Sequence, residues 1–286
     1  MTSIGDRILI IGRNGQMSRS LDERLVAGGY HVVKIGRPEV DLRDPVSVSK
    51  AVEAAKPAFV VNAAAYTAVD QAEEEPAAAF ETNAAGAQAA AKAAADIGAT
   101  IIHFSTDYVF DGTKRTPYAE TDAVGPIGIY AQSKLMGERL VAEANPKHVI
   151  LRTAWIFSPF GSNFVKTMVR LNQERREINV VDDQYGSPTY AIDLADTVCQ
   201  IVDRLRNFPP STDCFGTFHA ANDGETSWHL FARAIIDGAA HRGAPRAIIH
   251  PIATSAYPTK ARRPAYSVLA ADKLSRVYGV RLRPWQ

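Results

Sequence analysis

The sequence lacks several features by which whole classes of protein are recognised. It has no apolar run of about 18 residues, the length that a helix needs to cross a membrane. Neither sign of charge dominates, because 32 Lys and Arg nearly balance 31 Asp and Glu, and there is no basic block to bind nucleic acid. The composition is that of a globular protein, with neither a disordered nor a collagen-like bias. Small-molecule chemistry is therefore the favoured class of function.

Cysteine and histidine patterns are equally sparse. Cys199 and Cys214 are the only cysteines and lie in no metal-binding spacing, so we expect both to be reduced. The seven histidines show no HxH or HExxH spacing, and we expect no metal. Residues 1–7 lack the charged start and apolar stretch of a signal peptide. We therefore expect a cytoplasmic protein.

Short β-branched segments alternate with helical patterns through the first half of the chain, as in a parallel sheet with helices on both faces. The sequence predicts an α/β fold, a Rossmann-type doubly wound parallel sheet followed by a smaller C-terminal α/β substrate domain. Strands are predicted at 7–11, 31–35, 58–63, 100–105, 149–152, 178–181 and 217–220. Helices are predicted at 16–27, 45–55, 76–97, 164–173, 191–205 and 226–238.

A glycine-containing turn follows the first predicted strand. Gly12-Arg-Asn-Gly15-Gln-Met-Ser18 has the spacing GxxGxxS. Its glycines permit the tight curvature that brings the amides of a helix N-terminus to a pyrophosphate. Ser18 stands where the short-chain dehydrogenase pattern has a third glycine, and we expect it to open the packing of helix and strand slightly. Taken alone, the turn is equally compatible with an ordinary strand-to-helix connection.

Arg37 follows the second predicted strand, where NAD enzymes commonly carry an acidic residue for the ribose 2′-hydroxyl. An arginine there can pair with a 2′-phosphate, and Arg13 can add a second positive charge. The competing interpretation of Arg37 is a solvated surface arginine. We expect NADPH as the cofactor, with NADH possible. Residues 1–155 are then an NADP-binding Rossmann domain and 156–286 mainly a substrate-binding domain, with helix 191–205 returning to the first.

Tyr130 and Lys134 lie four residues apart in a helical segment, so both side chains can face one site. A cation near a phenol favours the ionised form, so Lys134 is expected to lower the pKa of Tyr130 towards the range useful for acid catalysis. Thr106 follows the fourth predicted strand, where its hydroxyl can bind a substrate carbonyl. Each signal is weak alone, but their joint occurrence predicts an NAD(P)H-dependent oxidoreductase.

Several longer strings resemble one family. They are NAAAYTAVD at 62–70, FSTDYVFDG at 104–112, YAQSK at 130–134, DQYGSPT at 183–189, and TSAYPT at 254–259 with Arg263, Pro264 and Ser267. These strings resemble the dTDP-4-dehydrorhamnose reductase family of extended short-chain dehydrogenases. The resemblance implies reduction of the C4 ketone of dTDP-4-dehydro-L-rhamnose to dTDP-L-rhamnose by NADPH. In that reaction Tyr130 would donate the proton, Lys134 would also bind the nicotinamide ribose, and Thr106 would bind the ketone oxygen.

With the positions that the resemblance adds, the expected cofactor-binding residues are Gly12, Arg13, Gly15, Gln16, Met17, Arg37, Asp41, Leu42, Ala65, Tyr66, Thr67, Phe104, Tyr130 and Lys134. The expected substrate residues are Thr106, Asp107, Trp155, Asn163 and Arg263. The competing interpretation of Trp155 is a core aromatic residue, and that of Asn163 and Arg263 is a surface role. Some family members join two subunits through glutamates and magnesium, but Ser20 and Ile192 stand at two of those places. We expect no metal and a monomer or weak homodimer.

Family members usually continue beyond the region 282–286 into a final helix, which is expected to be missing here. Two further groups of functions stay open. One is another nucleotide-sugar reductase or epimerase of the same fold. The other is a non-catalytic, NADP-binding regulatory subunit of methionine adenosyltransferase, although intact Thr106, Tyr130 and Lys134 argue against it. Dehydratases of this fold carry glutamate after Thr-Asp, where this chain has Tyr108.

Overall fold

A computed structural model describes residues 7–286. Residues 1–6, on which the expectation of an absent signal peptide chiefly depends, lie outside the described part. The strands of the described part are β1 (Arg7–Ile11), β2 (His31–Ile35), β3 (Phe59–Asn62), β4 (Thr100–Thr106), β5 (His148–Thr153), β6 (Ile156–Phe157), β7 (Glu177–Val181), β8 (Tyr185–Gly186), β9 (Thr189–Tyr190), β10 (Gly216–His219), β11 (Thr226–Ser227) and β12 (Ile248–Ile252). Its α-helices are α1 (Gln16–Ala27), α2 (Pro45–Ala55), α3 (Val69–Ala72), α4 (Pro76–Phe80), α5 (Ala87–Asp96), α6 (Ile129–Ala144), α7 (Phe164–Glu174), α8 (Ala191–Asn207), α9 (Trp228–Ala240) and α10 (Asp272–Tyr278).

Six parallel strands form the central sheet, in the order β10-β5-β4-β3-β1-β2. The α/β class and the doubly wound parallel sheet predicted from the sequence are confirmed. Helices α1 and α8 cover one face of this sheet, and α2, α5 and α6 cover the other. Because parallel strands end at one edge, the segments after β1, β3, β4 and β5 gather there, where open α/β sheets bind ligands.

Local signals set the first two large helices. Helix α1 begins directly after the glycine turn, and α2 begins at Pro45 with Asp44 as its N-cap. The Asp44 carboxylate accepts the backbone N–H groups of Val46 and Ser47, at 3.0 and 3.3 Å. These contacts satisfy amides that have no partner within the helix, and Pro45 needs none.

The alanine-rich segment differs from the prediction. The segment is helical from Pro76 to Asp96, as predicted, but it is not one regular α-helix, because a π-helical turn at Glu81–Gly86 lies between α4 and α5. Helix α6 crosses this turn so closely that a Cβ on Gly137 would lie 2.0 Å from the carbonyl oxygen of Asn83. The alanines of α5 then pack directly against the sheet. The π turn therefore lies where α6 makes its closest approach.

The later part of the chain contributes both to the central sheet and to a separate layer. Helix α8 packs on α1, where Arg24 and Asp196 form an ion pair of 2.5 Å. Strand β12 pairs with β7, and α9 packs on both strands and on α7. The helix predicted at 226–238 begins two residues later, since Ser227 lies in β11 and its hydroxyl caps α9 by accepting the N–H of Leu230. The boundary at residue 155 stays a prediction.

No helix within residues 7–286 combines the length and the apolar character that a membrane crossing requires.

Candidate active site

The turn after β1 has the backbone geometry that a pyrophosphate needs. Gly12 adopts φ of 120°, and a Cβ there would lie 3.2 Å from the backbone of Ala63. Gly15 is the N-cap of α1 and provides no side-chain cap, while the space beside its Cα is open to at least 4 Å. The first amides of α1 lack intrahelical partners, as in every helix. They therefore remain available for an anion, which fits the diphosphate of a dinucleotide.

Ser18 is fully buried in α1, and its hydroxyl donates to the carbonyl oxygen of Gly12. The residue that replaces the third glycine of the pattern thus closes the turn with a hydrogen bond that glycine could not make. Met17, beside it, is buried in the core under the sheet.

Gln16 connects the turn with the loop that follows β6. Its amide nitrogen donates to the carbonyl oxygen of Ile156 at 3.2 Å, and its amide oxygen accepts the hydroxyl of Ser158 at 3.2 Å. Asn163 caps α7 by accepting the N–H of Lys166 at 3.1 Å, and it donates to the carbonyl oxygen of Ser158 at 2.8 Å. Asn163 therefore lies beside the turn, with its side chain engaged in structure.

The corner expected to hold a 2′-phosphate contains charges of both signs. Arg13 pairs with Glu39, and both side chains are well exposed. Hydrogen bonds from Arg43 lower the pKa of Asp41 to about 2, with a smaller contribution from the charge of Arg37. Arg37 is itself exposed. Arg37 is thus available for the 2′-phosphate, whereas Glu39 competes with that phosphate for Arg13.

Leu42 and the loop after β3 form the next part of the cofactor side. Leu42 is buried, and a Cβ on Gly86 would lie 2.7 Å from its side chain, so the π turn fits directly against it. Ala65, Tyr66 and Thr67 follow β3 in a loop without regular structure. This loop passes the carboxyl edge of the sheet, as the sequence predicts.

Asn83 holds that loop and was missed by the sequence analysis. Its side chain accepts the N–H of Tyr66 at 2.8 Å and donates to the Tyr66 carbonyl at 3.0 Å. It also donates to the hydroxyl of Ser133 at 2.9 Å. Because Ser133 precedes Lys134 in α6, Asn83 fixes the cofactor loop to the helix that carries the Tyr-Lys pair. The signal was available, since Asn83 is a buried polar residue in a segment otherwise rich in alanine.

Lys134 and Phe104 meet at the end of β4. The buried ammonium of Lys134 donates to the carbonyl oxygen of Phe104 at 2.6 Å. Burial lowers the pKa of Lys134 to about 8, and the charge of Glu138 opposes this change. The lysine therefore stays largely protonated at neutral pH.

The expectation that Lys134 lowers the pKa of Tyr130 is wrong for this structure. Loss of water around the phenol raises the pKa of Tyr130 to about 12, the negative charge of Asp107 adds to the rise, and the Thr106 hydroxyl opposes it. The lysine is directed at the Phe104 carbonyl instead. Spacing on α6 places both side chains on one face, but it does not determine which neighbour controls the phenol.

Thr106 and Asp107 form a buried polar pair where β4 ends. The hydroxyl of Thr106 donates to the Asp107 carboxylate at 3.1 Å and accepts the N–H of Tyr108 at 3.1 Å. Burial raises the pKa of Asp107 to about 7, although hydrogen bonds from Ser267 and Thr106 oppose the change. Ser267 lies 2.5 Å from the carboxylate and comes from near the end of the chain.

Trp155 follows β5 and is half-buried. It adopts φ of 45°, a left-handed conformation that is rare for a bulky residue and that occurs most often at functional sites. Its ring stacks on Trp228, with centroids 3.5 Å apart and planes within 9°. A Cβ on Gly186 would lie 2.6 Å from the indole, so the backbone of β8 packs against it. A sugar nucleotide can reach only the surface of Trp155 that these contacts leave open.

Arg263 binds Asp70 through two hydrogen bonds, of 2.7 and 3.1 Å. Asp70 also accepts the backbone N–H of Ala261 at 3.1 Å. The segment around Arg263 is thereby fixed to the start of α3. Its guanidinium also lies near enough to Tyr108 to oppose the rise that burial causes in the pKa of that phenol. Arg263 lies at the site, with an acidic partner already in place.

No three or more Asp, Glu, His or Cys side chains gather into a metal site within residues 7–286. The expectation that no metal is bound stays a prediction.

The Rossmann-type fold, with Lys134 of α6 bonded to the end of β4 and Tyr130 one turn before it, defines an oxidoreductase of the short-chain dehydrogenase class. The family model described as RmlD substrate binding domain matches residues 6–286, and the chain belongs to that family. Proteins named dTDP-4-dehydrorhamnose reductase from Sinorhizobium fredii and Burkholderia thailandensis are each 45% identical to it, over 98% of this chain and 94% and 95% of theirs. A crystal structure of dTDP-4-dehydrorhamnose reductase from Bacillus anthracis in complex with NADP is 36% identical, with a TM-score of 0.90 over 98% of this chain and 96% of that one. The resemblance noted from the sequence is confirmed.

Proposed function

We propose that this protein reduces the C4 ketone of dTDP-4-dehydro-L-rhamnose to an alcohol, giving dTDP-L-rhamnose, with NADPH as reductant. The observation that carries the proposal is that the Thr106 hydroxyl bears on the phenol of Tyr130 and Lys134 bonds the carbonyl of Phe104, at the edge of the sheet where the turn into α1 also lies. The names of the relatives, which align over nearly their whole length, support the same substrate.

NADPH supplies the hydride that adds to the carbonyl carbon of the sugar. The residues that would hold it are those whose geometry fits a dinucleotide. Gly12 and Gly15 leave room for the diphosphate at the N-terminus of α1. Arg37 and Arg13 provide positive charge for the 2′-phosphate, and Lys134 binds the nicotinamide ribose. The loop of Ala65, Tyr66 and Thr67, with Phe104, lies along the remainder of the cofactor.

Tyr130 is the proton donor. With a pKa raised to about 12, the phenol is protonated at neutral pH and can give its proton to the alkoxide oxygen as it forms. Lys134, which bonds the Phe104 carbonyl at the end of β4, holds α6 against the strand from which Thr106 projects. The hydroxyl of Thr106 donates a hydrogen bond to the same oxygen and stabilises its developing charge.

The substrate-binding part of the proposal rests on four further residues. Asp107 and Trp155 face the sugar, and Asn163 and Arg263 contact the diphosphate. Asn163 is used as a helix cap and Arg263 as the partner of Asp70, so each must share its present hydrogen bonds with the substrate. An arginine has five donors and can do so.

No feature of the site described above favours an epimerase or a regulatory NADP-binding subunit. A cytoplasmic location belongs to the proposal, because it fits an enzyme that consumes a nucleotide sugar and NADPH. A monomer or weak homodimer belongs to it as well, because Ser20 and Ile192 stand where some family members carry bridging glutamates.

The decisive assay mixes the protein with dTDP-4-dehydrorhamnose and NADPH and follows the absorbance of the reduced nicotinamide. Wild type should oxidise NADPH, and Tyr130→Phe should lose at least about a hundredfold in kcat, as expected for removal of a general acid. Tyr30→Phe is the matched control, because this phenol bonds Asp203 and lies before β2, at the amino edge of the sheet. An inactive wild type, or a Tyr130→Phe variant that turns over as fast, contradicts the proposal.

A further inference from the structure

A buried chain of hydrogen bonds joins Ser267, close to the end of the sequence, to the hydroxyl of Thr106. The Ser267 hydroxyl donates to Oδ2 of Asp107 at 2.5 Å, and the Thr106 hydroxyl donates to Oδ1 of Asp107 at 3.1 Å. None of the three residues is more than 5% exposed. Within residues 7–286, these two hydroxyls are the side-chain hydrogen-bond partners of the carboxylate.

The direction of the Thr106 proton depends on where that carboxylate lies. A threonine hydroxyl has one proton, which an ionised carboxylate holds, whereas a protonated carboxyl donates to the threonine oxygen and leaves that proton free for a substrate oxygen. Because burial raises the pKa of Asp107 to about 7, the protonated form is well populated near neutral pH. Oγ1 of Thr106 also accepts the N–H of Tyr108 at 3.1 Å, which leaves the donated proton as its adjustable contact. Any rotation of the Asp107 carboxylate would therefore turn the Thr106 hydroxyl as well. Ser267, bound to the second oxygen, opposes such a rotation.

Ser267 is itself held firmly. Its N–H donates to the carbonyl oxygen of Tyr185 at 2.9 Å, and Tyr266 forms an isolated β-bridge with Tyr185. The carbonyl oxygen of Val268 accepts the N–H of Tyr118 at 2.8 Å. Backbone contacts thus fix the segment on both sides of Ser267. The serine can transmit this rigidity to a group 160 positions earlier in the chain.

We propose that Ser267 is a positioning residue for the reduction: it holds the Asp107 carboxyl, which in its protonated form donates to Oγ1 of Thr106 and leaves the Thr106 proton for the substrate oxygen. The proposal rests on the proposed function, since it needs a substrate oxygen for Thr106 to meet. It assigns a role in the chemistry to a residue that forms no hydrogen bond with Tyr130 or Lys134 in the part of the chain that the structure describes.

The first measurement is steady-state kinetics of Ser267→Ala with dTDP-4-dehydrorhamnose and NADPH. We expect kcat to fall about tenfold, because a misdirected donor no longer stabilises the forming alkoxide, while KM for NADPH stays unchanged. Ser267→Thr keeps the hydroxyl and should restore most of kcat. Thr197→Val is the matched control, since it removes a buried hydroxyl whose hydrogen bond, to the carbonyl oxygen of Asp193, lies within α8.

The second measurement asks whether Ser267 acts through Thr106. In a Thr106→Val background the donor is absent, so adding Ser267→Ala should change kcat by less than about twofold. A second tenfold loss there would overturn the proposal, and so would a Ser267→Ala enzyme with the kcat of wild type. If Ser267→Ala does not fold, as judged by its thermal melting, Ser267→Cys replaces it. Cysteine is similar in size but a weak donor, so its kcat should also fall, and a wild-type rate would again overturn the proposal.

The two proposals fail in different ways. A wild-type protein that does not oxidise NADPH with this substrate overturns the proposed function, and the role of Ser267 with it. A wild type that turns over normally, beside a Ser267→Ala variant that is equally fast, overturns the role of Ser267 alone.

Discussion

The carboxylate of Glu138 holds the guanidinium of Arg152 by two hydrogen bonds, of 2.9 and 2.7 Å, in the buried space between α6 and β5. The hydroxyl of Ser105 in β4 donates to the same carboxylate at 2.5 Å. Glu138 lies four residues beyond Lys134 and eight beyond Tyr130 on α6. The ion pair therefore holds α6, the helix that carries the proposed proton donor Tyr130, against the sheet.

Removing one partner of this pair should be costly. Glu138→Ala leaves the Arg152 charge buried without its partner, and we expect the free energy of unfolding to fall by about 3 to 5 kcal/mol. Urea denaturation measures the change. Glu143→Ala, at an exposed position of the same helix, should stay within about 0.5 kcal/mol of wild type. Equal stability of the two variants would show that the buried pair contributes nothing.

Cofactor preference should depend on Arg37. In Arg37→Ala we expect KM for NADPH to rise about tenfold and KM for NADH to change little, because only NADPH carries the 2′-phosphate. Glu39→Gln should act in the opposite direction by releasing Arg13 from its ion pair. Steady-state kinetics with the two nucleotides provide the internal control. An equal rise in the KM values for NADPH and NADH would mean that Arg37 does not bind the 2′-phosphate of NADPH.

Stability should vary with pH through Asp107. Its pKa is raised in the folded protein to about 7, so between the ordinary value of 3.8 and about 7 the folded state keeps a proton that the unfolded state has released. The contribution of Asp107 to stability should therefore fall as pH rises through this window, by an amount on the order of 4 kcal/mol, while carboxyls with a lowered pKa, such as Asp41 and Asp70, act in the opposite direction in wild type and variant alike. Asp107→Asn removes this loss.

The measurement is urea denaturation of both proteins between about pH 4 and pH 7. The difference in unfolding free energy, variant minus wild type, should grow with pH. If the two stability curves run parallel, the carboxyl of Asp107 titrates alike in the folded and unfolded chains.

The indole stack should govern the sugar side of the site. Trp228→Leu removes the ring that lies 3.5 Å from Trp155, so Trp155 is expected to lose its fixed orientation. KM for the sugar nucleotide should rise about three- to tenfold, in line with the free energy of an aromatic pair. Near-ultraviolet circular dichroism should also lose the coupled signal of two stacked indoles. Trp285→Phe, which contacts Phe231 instead, should keep both properties.

Helices and strands whose ends are set by neighbouring residues could be predicted from local sequence patterns. The bounds of β1, α1, β2 and α2 match the prediction, because a glycine turn or an Asp-Pro cap marks where these helices start. The central strands were predicted to within two residues at each end, since strands buried on both faces read as apolar runs. The positions of Tyr130 and Lys134 on one helical face follow from their spacing alone.

What could not be predicted depends on contacts between distant segments. The π turn follows from the crossing of α6, and the rise in the pKa of Tyr130 follows from burial and from Asp107. Arg263 meets Asp70 across 193 positions of sequence, and Asn83 meets Ser133 across 50. No periodicity or motif encodes such pairings. The reactive groups could therefore be predicted from the sequence, but the residues that hold those groups in position could not.

The central sheet is completed late in synthesis. Its edge strand β10, next to β5, ends at His219, and the helix that covers α1 begins only at Ala191. A nascent chain that has reached residue 155 already contains the cofactor turn, yet it has an open edge on β5 and an uncovered apolar face. The half that would bind the nucleotide therefore has its full sheet only once residues 216–219 have been synthesised, and until then its open edge and apolar face are prone to aggregation.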